Sequence, residues 1–310
     1  MLSIKNLKVS IVMNCFNGAK FVKQAIESVL RQTHENWELI FWDNQSTDNS
    51  AKIIKNYKDK RIRYFYAETF TSLGEARNLA IDKTRGSLIA FLDCDDLWVP
   101  EKLARQIPLF DKPEIGIVIS DTVFFNESKK EKQLYKKQKP PEGYVFKDLL
   151  MRYFISLETV IIRKAALEGL TELFDTRFSA IEEYDLFIRL CHRWELGYVD
   201  LVLAKWRVHS ESATWQKPEL FGIERRLFVK KLSMIIPNFS TQFKMEYKAL
   251  LRKCDYEDAR VIWKNGDAYK ARKLLKPHKF TSFPWLVVYI LTFLPFKLFN
   301  WIAKIGKLVP

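Results

Sequence analysis

Three aspartates lie within four residues of this chain, at Asp93, Asp95 and Asp96. They follow the apolar run Leu88–Leu92, whose composition indicates a buried strand. Carboxylate oxygens at this density suit Mg²⁺ or Mn²⁺. Without a divalent cation the cluster would repel both itself and a diphosphate. The spacing therefore predicts a metal site in this cluster, although a solvated acidic turn before a helix has the same composition.

Other acidic residues are placed where they could do chemistry. Asp43 ends a second apolar run and could accept the N–H of a nucleobase edge, or could form an Asx turn instead. Glu182 and Glu183 are adjacent at the start of an apolar helical pattern. The helix dipole alone would favour them there. The functional alternative makes one of them a general base that removes a proton from an acceptor hydroxyl.

Two cationic residues have similarly open interpretations. Arg77 lies in the sequence EARN (75–78) and could reach a diphosphate, or could be a cation on the surface of a helix. His209 lies in WRVHS (206–210) and could be a third metal ligand. A lone histidine is more often structural, so both alternatives stay open.

The elements that must position these residues follow an alternating order. Strands are predicted at Val9–Met13, Trp37–Trp42, Arg61–Tyr66 and Leu88–Leu92, and helices at Ala19–Gln32, Ser50–Tyr57 and Leu73–Lys83. This alternation predicts an α/β fold with a Rossmann-like, doubly wound and mostly parallel sheet. Ligands bind beyond the carboxyl ends of the strands in such sheets. The polar residues 14–17, 43–48 and 93–96 should therefore meet at one edge.

Charge divides the chain into two regions. The net charge is +14, but residues 217–310 hold 19 Lys and Arg against 7 Asp and Glu, whereas the preceding residues hold 32 against 30. A nearly neutral region suits a small-molecule site, and a basic region suits a phosphate-rich surface, either lipid or nucleic acid. We expect residues 1–215 to form the binding and catalytic domain and residues 216–310 to form basic amphipathic helices.

Cysteine spacing and hydropathy predict the compartment. The four cysteines form no C-x-x-C pair, and the N-terminus lacks the apolar run of a signal peptide, so we expect reduced thiols, no zinc site and a cytoplasmic chain. Phe283–Phe296 is apolar for 14 residues, short of the ~18 of a confident span. Trp285, Tyr289 and Trp301 are types that favour the headgroup level, and Lys297, Lys304 and Lys307 follow.

This C-terminal segment predicts an in-plane anchor on an anionic membrane surface. We therefore expect a peripheral protein on the inner face of the plasma membrane. A helix that packs on the first domain and a tight hairpin through the membrane are the alternatives.

With these residues identified, the chain resembles the family 2 glycosyltransferases of the GT-A fold over roughly residues 8–215. The segments that carry the resemblance stand in the family's order and spacing: VSIVMNCFN (9–17), ELIFWDNQSTDNS (38–50), GEARNLAIDKTRGSLIAFLDCDDLW (74–98), IEEYDLFIRL (181–190) and WRVHS (206–210). The resemblance implies a nucleotide-diphosphate sugar donor, most simply a UDP-sugar, with Mn²⁺ or Mg²⁺ and inversion at the anomeric carbon.

The resemblance also implies roles for individual residues. The expected contacts to the nucleotide sugar come from Asn14, Phe16, Asn17, Asp43, Arg77, Asp93 and Cys94. The expected metal ligands are Asp93, Asp95 and His209. The catalytic base is expected in the pair Glu182 and Glu183.

The chain departs from the family pattern at several positions. Residues 14–17 read Asn-Cys-Phe-Asn where the family usually has Pro-Thr-Tyr-Asn, and residues 43–46 read Asp-Asn-Gln-Ser instead of Asp-Asp-Gly-Ser. Glu183 replaces the usual Asp of the base motif. The Gln-x-x-Arg-Trp motif of processive members is not met, because Leu190 stands in place of the Gln before Arg193-Trp194. We therefore expect transfer of a single sugar, to a glycan or a lipid-linked acceptor.

Three other functions were weighed. A nucleotidyltransferase on a similar sheet would favour a Gly- and Arg-rich loop after the first strand, which residues 14–18 lack. A nucleic-acid-binding protein could use the basic tail, but it would also need basic and aromatic residues across the sheet face, where the loops are acidic. We expect no nucleic-acid partner. A catalytically inactive binding scaffold would bind the donor without turnover.

Overall fold

The computed structural model describes residues 6–126, 131–209 and 217–298. Contacts divide the chain into two units. The first consists of Met1–Leu149 with Tyr153–Val208, and the second of Leu150–Arg152 with His209–Pro310. The division predicted from composition fell at residue 215, at the end of the stretch 210–216 that lies outside the described residues.

The first unit begins with alternating strands and helices. These are β1 (Val9–Cys15), α1 (Val22–Leu30), β2 (Trp37–Asp43), α2 (Ser50–Lys55), β3 (Ile62–Tyr66), α3 (Leu73–Ile81) and β4 (Leu88–Phe91). All seven were predicted, with ends that differ by a few residues. Then follow β5 (Leu97–Trp98), α4 (Lys102–Gln106), β6 (Ile115–Phe125), β7 (Glu131–Gln133), α5 (Phe146–Met151), β8 (Ile161–Arg163), α6 (Lys164–Glu168), α7 (Glu182–Cys191) and β9 (Glu195–Arg207).

The described strands form one mixed sheet. Their order is β3-β2-β1-β4-β8-β6-β9-β5, and β7 pairs with β6. The pairs β3–β2, β2–β1, β1–β4 and β6–β9 are parallel, whereas β8 is antiparallel to both β4 and β6, and β5 is antiparallel to β9. The parallel arrangement predicted from the sequence thus holds for β1 to β4. The rest is mixed because the three-residue β8 is inserted in reverse between β4 and β6.

A buried apolar layer holds the parallel strands of the first unit in place. One face of β1 and the inner face of α1 pack together with no solvent exposure, through Val9, Ile11, Met13, Val22, Ala25, Ile26 and Val29. Full burial of a large aliphatic side chain contributes roughly 1.5–3 kcal/mol. This layer therefore holds in place the sheet from which the loops after β1, β2 and β4 emerge.

The second unit is helical, as predicted. Its helices are α8 (Leu220–Ile235), α9 (Phe239–Gln242), α10 (Lys244–Lys264), α11 (Ala268–Leu275) and α12 (Phe283–Leu291). Asp267 caps α11, since its carboxylate accepts the backbone N–H of Lys270 at 2.8 Å. None of the helices in the described ranges has both the length and the apolarity needed to cross a bilayer.

The placement of α12 changes the interpretation of its aromatic residues. Trp285 and Tyr289 were predicted to lie at lipid headgroups, but both are half-buried against the core of α10 and α11. They face inward because they occupy the same side of the helix as Val288, which packs there too. Trp301, Lys304 and Lys307, the other residues of the predicted anchor, lie outside the described residues.

Candidate active site

The loops that follow β1 and β2 are joined at the carboxyl edge of the sheet. Cys15 and Asp43, the last residues of the two strands, are register partners, and the backbone N–H of Asn44 donates to the carbonyl of Cys15 at 2.8 Å. On the other side of β1, Val12 is the register partner of Phe91 at the end of β4. The polar clusters after these three strands therefore meet at one edge, as the alternating pattern predicted.

Asn17 ties the first loop to the second. Its φ of 52° is left-handed, a conformation that asparagine tolerates better than most residues. The side-chain oxygen accepts the backbone N–H groups of Thr47 at 2.8 Å and Asp48 at 3.3 Å, and the Asn17 N–H donates to Ser46 Oγ at 3.0 Å. The structure thus shows a loop-bracing role for Asn17, and its contact with a nucleotide sugar stays a prediction.

Asp43 is fully buried beneath the second loop. Its Oδ1 accepts the backbone N–H of Ser46 at 2.8 Å, which is the turn-forming alternative considered above. Its Oδ2 accepts the hydroxyl of Tyr64 at 2.9 Å. A carboxylate has about four lone-pair positions. The two contacts hold Asp43 in place without using its full acceptor capacity, and its contact with a nucleobase stays a prediction.

An exposed aromatic pair lies at the same edge. Phe16 after β1 and Phe70 after β3 are 50% and 61% exposed, and their ring centroids are 4.8 Å apart in an edge-on arrangement. Such rings offer apolar faces to a planar base. Asn14, which is close to Phe16 in the sequence, is buried, and its Nδ2 has no hydrogen-bond partner within the described ranges. Phe70 was missed by sequence reasoning, although its place after a parallel strand could have indicated it.

The Cys94 thiol lies beneath the turn after β1, and its predicted contact with a nucleotide sugar stays a prediction. It is hydrogen-bonded with Cys15, which lowers the pKa of Cys15 and raises that of Cys94. A Cβ added at Gly18 would lie 2.7 Å from the sulfur of Cys94 and 2.9 Å from that of Cys15. The turn after β1 therefore needs glycine because the two thiols fill the space beneath it.

The three aspartates after β4 are not equivalent. Asp96 is buried and its carboxylate accepts the backbone N–H of Arg207 at 2.8 Å, so it braces the loop against β9. Burial, followed by the charge of Asp95, raises the pKa of Asp96 well above its ordinary value. Asp93, by contrast, keeps 36% of its side chain exposed, and Asp95 is half-buried. Asp93 and Asp95 are therefore the two carboxylates that a ligand can approach.

The described residues hold no preformed group of three His, Cys, Asp or Glu side chains arranged for a metal ion. Mg²⁺ in phosphate chemistry is usually bound through one or two carboxylates plus substrate phosphates, with waters completing its shell. Asp93 and Asp95 provide that donor set. His209 belongs to the second unit, so its predicted place as a third ligand stays a prediction.

Arg77 is an internal counter-ion and not a surface cation. It is 2% exposed, and its guanidinium lies 3.2 Å from Asp93, 3.2 Å from Glu182 and 4.0 Å from Glu183. Buried charges need such pairing, because desolvation of an unpaired one is costly. Arg77 thus joins Asp93 after β4 to Glu182 at the start of α7. Its predicted contact with a diphosphate stays a prediction.

The two glutamates at the start of α7 have different environments. Glu182 forms an ion pair with Arg77, and its side chain is 8% exposed. Glu183 is the more accessible, with 33% of its side chain exposed. The pKa of Glu183 is raised to about 8, and burial is the largest cause. The charge of Arg77 opposes this rise, and the negative charges of Glu182, Asp93 and Glu158 add to it. A carboxylate with a pKa near neutrality is suited to general base chemistry.

Tyr153 is a second residue that the sequence did not reveal, and it lies close enough to Glu183 to feel its charge. Its ring centroid lies 4.8 Å from that of Tyr184, the residue after Glu183. Its hydroxyl is buried and has no hydrogen-bond partner in the part of the chain that is described. Burial, followed by the charge of Glu183, raises its pKa. No local sequence signal marks Tyr153, because it is 30 residues from Glu183 in the chain.

A separate cavity of about 400 Å³ lies around the last residues of α7. Its lining residues are Glu114, Tyr144, Ala165, Ala166, Gly169, Leu170, Arg189, Leu190, Arg193 and Trp194. A ten-residue helix is roughly 15 Å long. The cavity is therefore distinct from the carboxylate site, which lies at the first residues of that helix.

Comparison with known sequences assigns the first unit to a described family. Residues 10–169 match the model of Glycosyl transferase family 2. A similar protein is an uncharacterized glycosyltransferase of Rickettsia bellii, 32% identical over 71% of this chain. This chain spans only 31% of the length of that relative. The UDP-Glc:alpha-D-GlcNAc-diphosphoundecaprenol beta-1,3-glucosyltransferase WfgD of Escherichia coli is 28% identical over 67% of this chain and 80% of its own length.

Solved structures share the fold. A fragment of S. aureus TarS in complex with UDP-GlcNAc superimposes with a TM-score of 0.63, at 17% identity, over 92% of this chain and 81% of that one. The mannosyltransferase PcManGT of Pyrobaculum calidifontis, in complex with GDP-Man and Mn²⁺, gives a TM-score of 0.59 at 14% identity, over 95% and 83%. At these identities the likeness shows the fold alone, and it confirms the predicted GT-A architecture.

Proposed function

This chain belongs to glycosyl transferase family 2, and we propose that it moves a single sugar, with inversion, from a nucleotide-diphosphate donor to an acceptor hydroxyl. The observation that carries the proposal is the charge network through Arg77. One side of Arg77 contacts Asp93 after β4, and the other contacts Glu182 beside Glu183. A donor-side carboxylate and a candidate base are thereby held in one fixed arrangement.

The proposed reaction is a direct displacement. Glu183 takes the proton of the acceptor hydroxyl, whose oxygen forms a new bond to the anomeric carbon. The bond between that carbon and the diphosphate oxygen breaks, and the nucleotide diphosphate leaves with the electron pair on the opposite face of the sugar. Positioning and fixed charges would supply much of the rate, because no covalent intermediate is needed.

Asp93 and Asp95 are the residues that would hold Mn²⁺ or Mg²⁺. When bound, such an ion supplies positive charge that offsets the charge developing on the departing diphosphate. Arg77 orients Asp93 through its 3.2 Å contact. The carboxylates that would otherwise repel the donor are thus balanced by one internal cation and one expected ion.

The donor and acceptor classes are supported by separate observations. The exposed Phe16–Phe70 pair suits a nucleobase, and TarS in its UDP-GlcNAc complex shares the fold. WfgD carries a diphosphoundecaprenol acceptor in its name, so a lipid-linked acceptor is the class we propose here. Transfer of one sugar at a time agrees with the missing processive motif.

A panel of nucleotide sugars tests the proposal. The correct donor should raise the melting temperature by mass action, and nucleotide diphosphate should be released in Mn²⁺ and not in EDTA. The variant Asp95→Asn should lose turnover while its fold stays intact, because Asp95 lies in a loop. Full turnover by Asp95→Asn in EDTA would refute the proposed requirement for a divalent cation. The proposed function would be refuted if no donor in the panel gave either stabilisation or turnover. The anomeric configuration of the product, read by NMR, tests inversion.

A further inference from the structure

The helix α12 has an inner side that is firmly held. Trp285 packs edge-on against Tyr256 at 5.9 Å, and Phe296 packs edge-on against Trp263 at 5.2 Å. The backbone just after α12 is also fixed: Trp263 Nε1 donates to the carbonyl of Leu294 at 3.1 Å. These contacts belong to the second unit alone. They leave the opposite side of α12 turned away from its own core.

That opposite side is apolar. Phe283, Val287 and Ile290 follow one another at the spacing of a single helix face, four and then three residues apart. Exposed apolar side chains before and after the helix in the chain extend this set. We call the outer face the set Phe280 (80% exposed), Phe283 (76%), Val287 (half-buried), Ile290 (54%), Phe293 (64%) and Leu294 (37%). Large apolar side chains grouped in this way indicate an interaction surface.

The segment that carries the outer face is rich in positive charge, and the cations of Lys279 and Arg272 lie over the rings of Phe280 and Phe293. Between Lys264 and Leu298 the sequence has seven Lys and Arg and one acidic residue, Asp267, which is the cap of α11. Five of the lysines are exposed: Lys264, Lys270, Lys273, Lys276 and Lys297. Acidic residues of the second unit lie instead on α8 and α10, where ion pairs engage several of them with Arg225, Arg226 and His278.

We propose that the outer face of α12 docks in the plane of an anionic lipid bilayer. An apolar stripe in a segment rich in exposed lysines matches a surface that offers acyl chains beneath negative headgroups. A second copy of the chain would bring the same positive charges together, and a nucleic acid would offer nothing to the phenylalanines. The inserting residues are then Phe280, Phe283, Ile290 and Phe293, and not Trp285 and Tyr289, which the core holds.

The proposal deepens the proposed function, because a membrane-held acceptor needs an enzyme at the membrane. Lipid binding is nevertheless measured without any sugar transfer, so the two can fail separately. The experiment is flotation of the full chain with vesicles of phosphatidylcholine alone, or of phosphatidylcholine and phosphatidylglycerol in equal parts. We expect flotation with the anionic vesicles, weakened by added salt.

Two variants and a matched control identify the surface. Phe280→Ser/Phe283→Ser/Ile290→Asn should abolish flotation, and Lys270→Glu/Lys273→Glu/Lys276→Glu should weaken it by roughly tenfold or more. The control Met234→Ser/Met245→Ser removes apolar residues that are 77% and 73% exposed elsewhere in the same unit, and it should float like the parent. Donor hydrolysis in solution should be unchanged in all three.

Three results would overturn the docking surface. They are no flotation by the parent chain, equal flotation by the triple apolar variant, and loss of self-association in that variant, which would assign the face to a second copy. Retention of the parent chain on duplex DNA without flotation would assign the basic surface to nucleic acid.

Discussion

At the scale of single residues, Glu183 is set by opposing influences. Burial and the neighbouring carboxylates favour its neutral form, whereas Arg77 favours its charged form. The balance raises the pKa to about 8. A base in this condition is a stronger proton acceptor than an exposed glutamate, at the cost of being partly protonated at neutral pH.

This balance predicts the pH dependence of transfer. Only the deprotonated form of Glu183 can accept the acceptor's proton, so kcat/KM should rise with pH and level off above a midpoint near 8. The measurement is initial rate at low substrate concentration across roughly pH 6 to 10. A profile that is flat over this range, or that falls as pH rises, would exclude Glu183 as the base.

The same residue should destabilise the fold at high pH. Its folded pKa of about 8 exceeds the ordinary 4.5, so the native state binds more protons than the unfolded state between these values. Stability from this group is therefore present at low pH and is lost as pH rises through 8. Glu183→Gln should melt a few degrees above the parent at pH 8, and this gain should vanish near pH 4.

Arg77 should be a large contributor to stability. Arg77→Met removes the guanidinium that pairs with Glu182 and Asp93, and loss of one partner from a buried pair costs roughly 3–5 kcal/mol. Urea unfolding at neutral pH measures this cost. The double variant Arg77→Met/Glu182→Gln should recover part of it, because one uncompensated carboxylate is removed. A cost of about 0–1 kcal/mol, as for exposed pairs, would show that the network is not a structural element.

At the scale of elements, the loops after β1 and β2 act as one unit. Asn17 supplies both a left-handed backbone and an acceptor for two backbone N–H groups of the second loop. Asn17→Gly keeps the backbone conformation and loses the acceptor, whereas Asn17→Ala loses both. We expect Ala to be less stable than Gly by roughly 1 kcal/mol, with weaker donor affinity in both. Equal thermal stability of the two variants would contradict this.

The sequence predicted the elements whose signals are local. From β1 to β4, apolar runs alternate with helical patterns, so both the elements and the edge where they converge followed directly. The reverse insertion of β8 did not, because Ile161–Arg163 is only three residues long and its neighbours in the sheet are distant in sequence. Strand direction depends on those neighbours.

At the scale of the whole molecule, the limit of sequence reasoning is long-range pairing. The contact of Arg77 with Glu182 joins residues 105 positions apart, and no local pattern announces it. Likewise, three aspartates in four residues gave no indication that Asp96 faces the backbone of Arg207 while Asp93 stays exposed. Composition did predict the helical C-terminal region. It could not predict which side of α12 is exposed, because that depends on α10 and α11.

The assignment of Glu183 as the base of the glycosyl transfer can be tested directly. The most direct measurement compares Glu183→Gln with Glu182→Gln, a matched change one residue away, for transfer rate and for donor affinity. Glu183→Gln should lower the transfer rate by ~10² to 10⁴-fold with donor affinity nearly unchanged. Glu182→Gln should act mainly through the contact with Arg77. The reverse result would exchange the two roles, and full transfer by Glu183→Gln would contradict the account.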